Sequence, residues 1–343
     1  MGVTIKKIAE LAGVSTGTVD RALYNRGRVN PEVAKRIKDI AKELNYEPNK
    51  TARSLHIASK NLKIAVILHT ETNLFFEKVL EGVKKASEEL SHNGVTVDIF
   101  HGHAFIADCQ IELLNKAVTE SYSAIVIVPI EDKRIKSLIS DIKKSIPVFL
   151  LTNPLSDADF CEYVGCDYKR AGNLAAGIVN ISAKANDKHT AFFSPSFNML
   201  GHTLRYEGFI NNDGLKRKGI ITDAIEIQRT DKIEIYKTAM DYFSKHKDVN
   251  LILANATGLE GGILSALKDS RLIEQVKIIA FDFSEELKEY MQNENIIACI
   301  DQGPKNQGYK VMMDAFNSLL DSNAPEKKMS YVNLNILLKE SVI

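Results

Sequence analysis

The sequence predicts an all-α head joined to an α/β body of two doubly wound parallel sheets. Three observations predict it. Residues 1–50 carry apolar side chains at helical spacing; from residue 61 short apolar runs alternate with amphipathic stretches; and that alternation is run through twice. The chain has 343 residues, more than one hydrophobic core usually serves. With 45% hydrophobic residues it has ample material to bury, which excludes a mainly disordered chain.

In the head, Thr4 is placed to cap a helix whose apolar residues Ile5, Ile8, Ala9 and Ala12 share a face. Gly13 supplies the reversal that follows. Ser15 can cap a second helix through Leu23, with Val19 and Leu23 inward and Thr16, Gly17, Asp20 and Arg21 outside. Asn30-Pro31 is a cap followed by proline at the first helical position, and Val33, Ile37, Ile40 and Leu44 then form one stripe. Helix, short glycine-containing turn, helix is the helix-turn-helix arrangement, whose second helix fits a DNA major groove. Residues 1–60 hold twelve Lys/Arg against six Asp/Glu, a net +6 in a chain whose total is zero. A basic head on an acidic body suits a polyanion bound at one end. A plain three-helix bundle with a solvated basic surface fits the same features.

In the body, strands are expected near 62–68, 95–100, 124–129 and 147–151, with helices at 75–91, 108–121 and 132–144. The second half repeats the pattern, with strands near 190–194, 220–227, 250–254 and 276–281 and helices near 170–184, 203–212, 233–245, 258–269 and 285–292. Two such halves place a cleft at the carboxyl ends of their strands.

Several chemistries find no support. The four cysteines, Cys109, Cys161, Cys166 and Cys299, form no CxxC pair, so a reducing, cytoplasmic setting with buried thiols is expected. No apolar run approaches a membrane span, and the first residues lack the apolar core of a secretory signal. No GxGxxG follows a strand, and no GxxxxGK[ST] or GxSxG occurs, so neither a nucleotide cofactor nor a catalytic residue is expected. His101 and His103 lack a third ligand at metal spacing, and no metal site is expected.

The run from Val3 through Ile8-Ala9-Glu10-Leu11-Ala12-Gly13-Val14-Ser15 to Arg21-Ala22-Leu23 resembles the DNA-binding head of the lactose-repressor (LacI/GalR) family. Val29-Asn30-Pro31-Glu32 and Leu44-Asn45-Tyr46-Glu47-Pro48-Asn49 continue the resemblance, and Thr51-Ala52-Arg53-Ser54-Leu55 looks like that family's hinge helix. The resemblance implies base-reading positions at Thr16, Gly17 and Arg21, and phosphate contacts from Thr4, Ser15, Thr18 and Asn25. It assigns Arg53 to the DNA-binding hinge and makes Leu55 a wedge inserted into the minor groove, although Leu55 also fits a linker residue packed on the body. Asp20 replaces the family's common serine, either orienting Arg21 or accepting from a cytosine amino group, and Gly17 brings no side chain to read a base.

The body resembles the periplasmic sugar-binding fold, closer to its ribose-binding branch. The resemblance rests on Asn73-Leu74-Phe75-Phe76, Tyr163-Val164-Gly165-Cys166-Asp167 with Gly172, Arg205-Tyr206-Glu207-Gly208-Phe209, Asn255, Phe281-Asp282, and Asp301-Gln302 with Pro304 and Gly308. It implies an effector site of Asn73, Phe75, Phe76, Thr152, Asn153, Asn255, Asp282 and Gln302. The residue types suit a sugar, whose paired hydroxyls bridge to Asp and Asn while its C–H face meets aromatic rings. Asn255 also fits a turn, Asp282 a helix cap and Phe75 plain core. Two departures stand out. Thr152-Asn153 replaces an Asp-Arg pair, and Thr203 replaces the branch's arginine two residues before Arg205, so a charged clamp is missing unless His202 substitutes.

The expected organisation is a helix-turn-helix domain over 1–46, a hinge helix and linker over 47–60, and a two-lobed effector and dimerisation domain over 61–343. Lobe 1 is expected over 61–158 and 301–326, and lobe 2 over 159–300 and 327–343. The expected function is operator-binding transcription regulation, in the sense of a repressor, controlled allosterically by a sugar or sugar-like effector, as inducer or corepressor. The expected partners are pseudo-palindromic operator DNA, the effector and a second copy of the chain, as a dimer or a tetramer. An α/β enzyme with a chance DNA-like head and a transport solute-binding protein are the alternatives. The missing catalytic motifs weigh against the first, and the basic head with no secretory signal against the second.

Overall fold

A computed structural model describes residues 4–23, 29–44, 46, 60–69, 74–102, 106–187, 189–195, 197, 199–229, 231–320 and 327–342. Asn25, Arg53, Leu55, Asn73, His103 and the hinge stretch 47–59 lie outside the described residues.

The head has helices α1 (Ile5–Ala12), α2 (Thr16–Leu23) and α3 (Pro31–Glu43). Each start is set by the side chain expected there. Thr4 Oγ1 accepts from the Lys7 N–H at 3.3 Å, Ser15 Oγ from Thr18 N–H at 3.2 Å, and Asn30 Oδ1 from Glu32 N–H at 2.9 Å. Gly13 ends α1 at φ 63°, a conformation that costs glycine nothing. Ile8, Ala9, Ala12, Val19, Ala22, Ile37 and Ala41 form the core, and Arg36 donates to the Ala12 carbonyl across the bundle.

The body contains two six-stranded sheets. In chain order its elements are β1 (Lys63–His69), α4 (Leu74–Ser91), β2 (Thr96–Gly102), α5 (Ala107–Thr119), β3 (Ala124–Ile127), α6 (Lys133–Ile142), β4 (Val148–Leu151) and β5 (Glu162–Gly165). The second half continues with α7 (Tyr168–Ser182), β6 (His189–Ser194), α8 (Leu200–Ile210), α9 (Asp213–Lys218), β7 (Ile221–Glu226), α10 (Lys232–Lys245), β8 (Leu251–Ala254), α11 (Glu260–Asp269), β9 (Lys277–Phe281), α12 (Glu285–Gln292) and β10 (Ile296–Asp301). Helix α13 (Pro304–Leu320), β11 (Lys328–Tyr331) and β12 (Asn335–Leu337) finish it. The first sheet has order β11-β5-β4-β3-β1-β2 and the second β12-β10-β9-β8-β6-β7. Every pairing is parallel except β10 with β12. The order therefore reverses beside β1 and again beside β6, and doubly wound sheets open their binding crevices at such points.

Sheet membership corrects the expected lobe boundaries. Residues 162–165 pair with β4, and 328–331 pair with β5, so both segments belong to the first lobe. The chain thus crosses between lobes near 166–167, 302–303 and 332–334. The signal was weak because β5 is four residues long and begins with a buried acid. Glu162 is reached by Lys328 at 3.1 Å and by the Ser330 hydroxyl, both from β11. Helix α13 packs on α4 in lobe 1.

Two glycine contacts set the helices. A Cβ on Gly82 would lie 1.9 Å from the Lys305 carbonyl oxygen, and one on Gly172 would lie 1.9 Å from that of Arg205. The first contact seats α13 against α4. The second seats α8 against α7 and so fixes where the Arg205 side chain emerges.

Candidate functional site

A cavity of about 750 Å³ lies between the carboxyl ends of the two sheets. Lobe 1 lines it with Phe75 and Phe76 from the first turn of α4, Pro129 to Glu131 after β3, and Asn153 after β4. Lobe 2 contributes Tyr168, His202, Arg205, Arg229, Asp231, Asn255, Thr257 and Asp282, and Gln302 enters from a crossover. The two phenylalanine rings meet edge to face at 5.3 Å and form an apolar wall.

Arg205 is the centre of the lobe 2 wall. It is 2% exposed, its guanidinium lies 3.8 Å from the centroid of the Phe281 ring, and Nη1 donates to the Asn255 carbonyl oxygen at 2.6 Å and to Asn255 Oδ1 at 3.3 Å. Its Nε is buried without a hydrogen-bond partner among the described residues. A guanidinium stacked and anchored on one side presents remaining donors to a ligand with little freedom left to lose.

Asp282 directly follows β9, is 4% exposed and has φ 63°. Its Oδ2 accepts from Gln302 Nε2 at 2.7 Å and from Thr257 Oγ1 at 3.3 Å, and its Oδ1 from the Gln302 N–H at 3.2 Å. Burial pushes its pKa up to about 6, against the opposing pull of the Arg205 charge. At neutral pH it is therefore a desolvated carboxylate. Glu260, at the start of α11, is pushed up to about 8 by burial, so it holds its proton at neutral pH. One of its oxygens accepts from the Gly258 N–H at 2.9 Å.

Of the expected effector residues, Phe75, Phe76, Asn153, His202, Asn255, Asp282 and Gln302 line the cavity. Thr152 and Thr203 do not. Thr152 is 1% exposed, and its carbonyl oxygen accepts from the hydroxyls of Tyr163 at 2.8 Å and Tyr168 at 3.0 Å, so it ties β5 and α7 together at a crossover. Thr203 Oγ1 donates to the Phe197 carbonyl at 2.5 Å and braces the loop before α8. Asn255 lines the cavity, but its amide already donates to Ser194 Oγ at 2.8 Å and accepts from Arg205, so it mainly orients that arginine. A guanidinium is present, supplied by Arg205 itself, two residues beyond the position where one was sought. Arg229, ion-paired with Asp231 at 2.8 Å, and Glu131, held by Lys136 and by Ser156 Oγ at 2.8 Å, went unread because they sit in loops without periodicity. The Gly172 and Gly208 pattern around Arg205 was the signal that could have found it.

In the head, the α2 face bearing Ser15, Thr16, Gly17 and Arg21 is exposed. Arg21 Nη2 donates to Thr18 Oγ1 at 3.3 Å, and Thr18 also shares a hydrogen bond with Ser15 Oγ at 2.9 Å. These contacts aim the guanidinium along the outer face of the helix.

The head and the body are each matched by a family model. Residues 4–49 match that of the bacterial regulatory proteins of the lacI family, and residues 64–322 match a periplasmic binding protein domain. The chain belongs to the LacI family of transcription regulators. This LacI-family regulator is 26% identical to the HTH-type transcriptional regulator MalR of Streptococcus pneumoniae over 97% of its own length and 98% of that protein's. It is 23% identical to catabolite control protein A of Priestia megaterium over 61% of its length and 60% of that protein's. Its body shares its fold with a glucose-galactose binding protein from Geobacillus stearothermophilus, with a TM-score of 0.72 at 22% identity over 82% of this chain and 99% of that one. A putative LacI transcriptional regulator from Bacteroides fragilis gives a TM-score of 0.72 at 16% identity, over 82% of this chain and 98% of that one. The regulator thus joins a DNA-binding head to a body with the fold of sugar-binding proteins. Among the described residues no helix is long and apolar enough to cross a membrane.

Proposed function

We propose that this regulator is an operator-binding repressor whose DNA affinity is set by a sugar or sugar-like effector held between its lobes. The observation that carries the reading is the wall formed by Arg205, Asp282 and Gln302, because Gln302 belongs to a crossover between the lobes and is hydrogen-bonded to the cleft carboxylate at 2.7 Å. An effector engaging Asp282 therefore acts on a group tied to the hinge. Phe75 and Phe76 cover the C–H face of a sugar ring, while Asn153, His202, Arg205, Asp282 and Gln302 address its polar edge.

The effector favours one lobe angle, and that angle decides whether two hinge segments around 47–60, with Arg53 and Leu55, pair against the minor groove. Two heads, each using Thr16, Gly17 and Arg21 with phosphate contacts from Thr4, Ser15, Thr18 and Asn25, read a pseudo-palindromic operator, so the working unit is a homodimer. Its place of action is the cytoplasm, with the chromosome, and no catalytic step is assigned to it.

The test is a thermal-shift screen of the full chain over sugars and sugar phosphates, followed by operator gel shifts with each hit. A ligand at a hundred times its Kd adds about 2.7 kcal/mol of stability. The expected result is a hit that changes operator affinity. Hits that stabilise the protein and leave operator affinity unchanged would overturn the allosteric reading, and a chain that stays monomeric on DNA in sedimentation would overturn the dimer.

A further inference from the structure

Four side chains from separate segments meet at the amino end of β6, away from the cleft. His189 opens β6, Asp223 lies on β7, His246 follows the last turn of α10, and Asp248 lies in the loop before β8. His189 Nε2 is 2.7 Å from Asp223 Oδ2, and His189 Nδ1 is 3.1 Å from Asp248 Oδ2. His246 Nδ1 is 3.7 Å from Asp223 Oδ2. Tyr242 donates to Asp223 Oδ2 at 2.9 Å, and its ring stacks on that of His246 at 4.5 Å and 13°. One donor atom from each of His189, His246 and Asp248 lies within 4.8 Å of the other two.

We propose that His189, His246 and Asp248 form a binding site for a divalent transition metal of the zinc type, with Asp223 as the carboxylate behind it. Three features of the geometry support this. Donor atoms about 2.0–2.1 Å from a tetrahedral metal are roughly 3.3 Å apart, and the His189–Asp248 pair at 3.1 Å already has that spacing. The remaining closure falls to His246 and Asp248, whose side chains are 37% and 77% exposed. Behind them, Asp223 Oδ2 lies 2.7 Å from His189 Nε2, and in the tautomer that donates the Nε2–H to this carboxylate the Nδ1 lone pair faces Asp248. Metal-bound histidines are held by this arrangement of carboxylate, imidazole and metal.

Two acceptors facing each other at 3.1 Å need a positive charge between them. Either the imidazole takes a second proton or a cation sits there. Two imidazoles with one carboxylate select zinc, cobalt, nickel or copper over magnesium or calcium, which prefer all-oxygen shells. The site is separate from the effector cavity, because β6 runs from His189 to Ser194, roughly 17 Å, before reaching the cleft. A metal there would pin the turn between α10 and β8 to the start of the sheet and so stiffen the second lobe. Asp248 lies 59 positions from His189, and the supporting Asp223 lies 34, which hid the site from sequence spacing.

The test uses the full chain, stripped with a chelator and titrated with zinc chloride by calorimetry and cobalt chloride by visible absorption. The expected result is saturation at one equivalent per chain, the absorption bands of low-coordinate cobalt, and a zinc-dependent rise in Tm. His246→Ala and Asp248→Asn, both at exposed side chains, should each weaken binding at least about tenfold, and Asp223→Asn should do so by about 10- to 100-fold. His101→Ala, on an exposed residue of β2, should bind as the parent does. Absence of saturable zinc binding, or binding unchanged in both His246→Ala and Asp248→Asn, overturns the proposal and leaves the cluster an imidazolium–carboxylate network.

Discussion

Thr152 and Asp282 occupy equivalent places in the two lobes. Each directly follows the strand that lies fourth in chain order in its sheet, β4 or β9, and each holds a left-handed backbone, at φ 58° and 63°. Neither residue is glycine, so each conformation is maintained by its surroundings. Two tyrosine hydroxyls grip the Thr152 carbonyl, whereas Gln302 and Thr257 grip the Asp282 carboxylate. The same turn therefore serves as a crossover brace in lobe 1 and presents a buried carboxylate on the cavity wall in lobe 2. The asymmetry places the acid of the site in lobe 2 alone at this pair of positions.

Asp282→Ala is expected to weaken effector binding by about 1.5–3 kcal/mol, on the order of ten- to a hundredfold, with operator affinity largely kept. A gel-shift titration with effector checks it. A wild-type effector midpoint would remove Asp282 from the site, and loss of DNA binding in a folded variant would make its role structural.

The ionised form of Asp282 is the one that accepts two hydroxyls. With its pKa near 6, effector affinity should hold at neutral pH and fall as the pH drops through about 6. Calorimetric titration of a neutral sugar hit at several pH values checks this, and the dependence should vanish in Asp282→Asn.

Glu260 links stability to pH in a defined direction. The folded state keeps its proton up to about pH 8, while the unfolded chain loses it near 4.5. Between those values the folded state binds more protons, so stability falls as pH rises through the window. Asp282 acts in the same sense between 3.8 and about 6. Glu260→Gln should flatten the upper part of the decline, by up to a few kcal/mol, in urea unfolding measured from acid to mildly alkaline pH.

Gly172→Ala should be severe. The added carbon would lie 1.9 Å from the Arg205 carbonyl oxygen, so α7 and α8 must separate. The expected loss is about 1–3 kcal/mol or more, with weaker effector binding because Arg205 moves with α8. Thermal unfolding and effector titration check it together. Gly177→Ala, on the same helix with open space around its Cβ, is the control and should be neutral or slightly stabilising.

Arg21→Ala should cost about 1–3 kcal/mol per half-site and relax base preference at one position, while protein stability changes little. Operator variants compared at fixed salt separate this from a phosphate contact, whose loss weakens every sequence alike.

Features encoded within a turn or two of chain were legible in the sequence. The caps Thr4, Ser15 and Asn30, the glycine reversal at Gly13, the head core and the eight longest-patterned strands follow from spacing and side-chain chemistry alone, whereas seven of the cavity-lining residues were reached only through the resemblance to sugar-binding proteins. Tertiary structure decided what depends on convergence of distant segments. It placed β5 and β11 side by side in lobe 1, turned Thr152 and Thr203 away from the cavity, and brought Arg205 onto the Phe281 ring through a helix contact set by Gly172. It also gathered His189, Asp223, His246 and Asp248 at one sheet end. Periodicity and capping are local and recur in every helix or strand, whereas which side chains meet across two lobes depends on strand order and crossover placement, and these arise from packing between segments far apart in the chain.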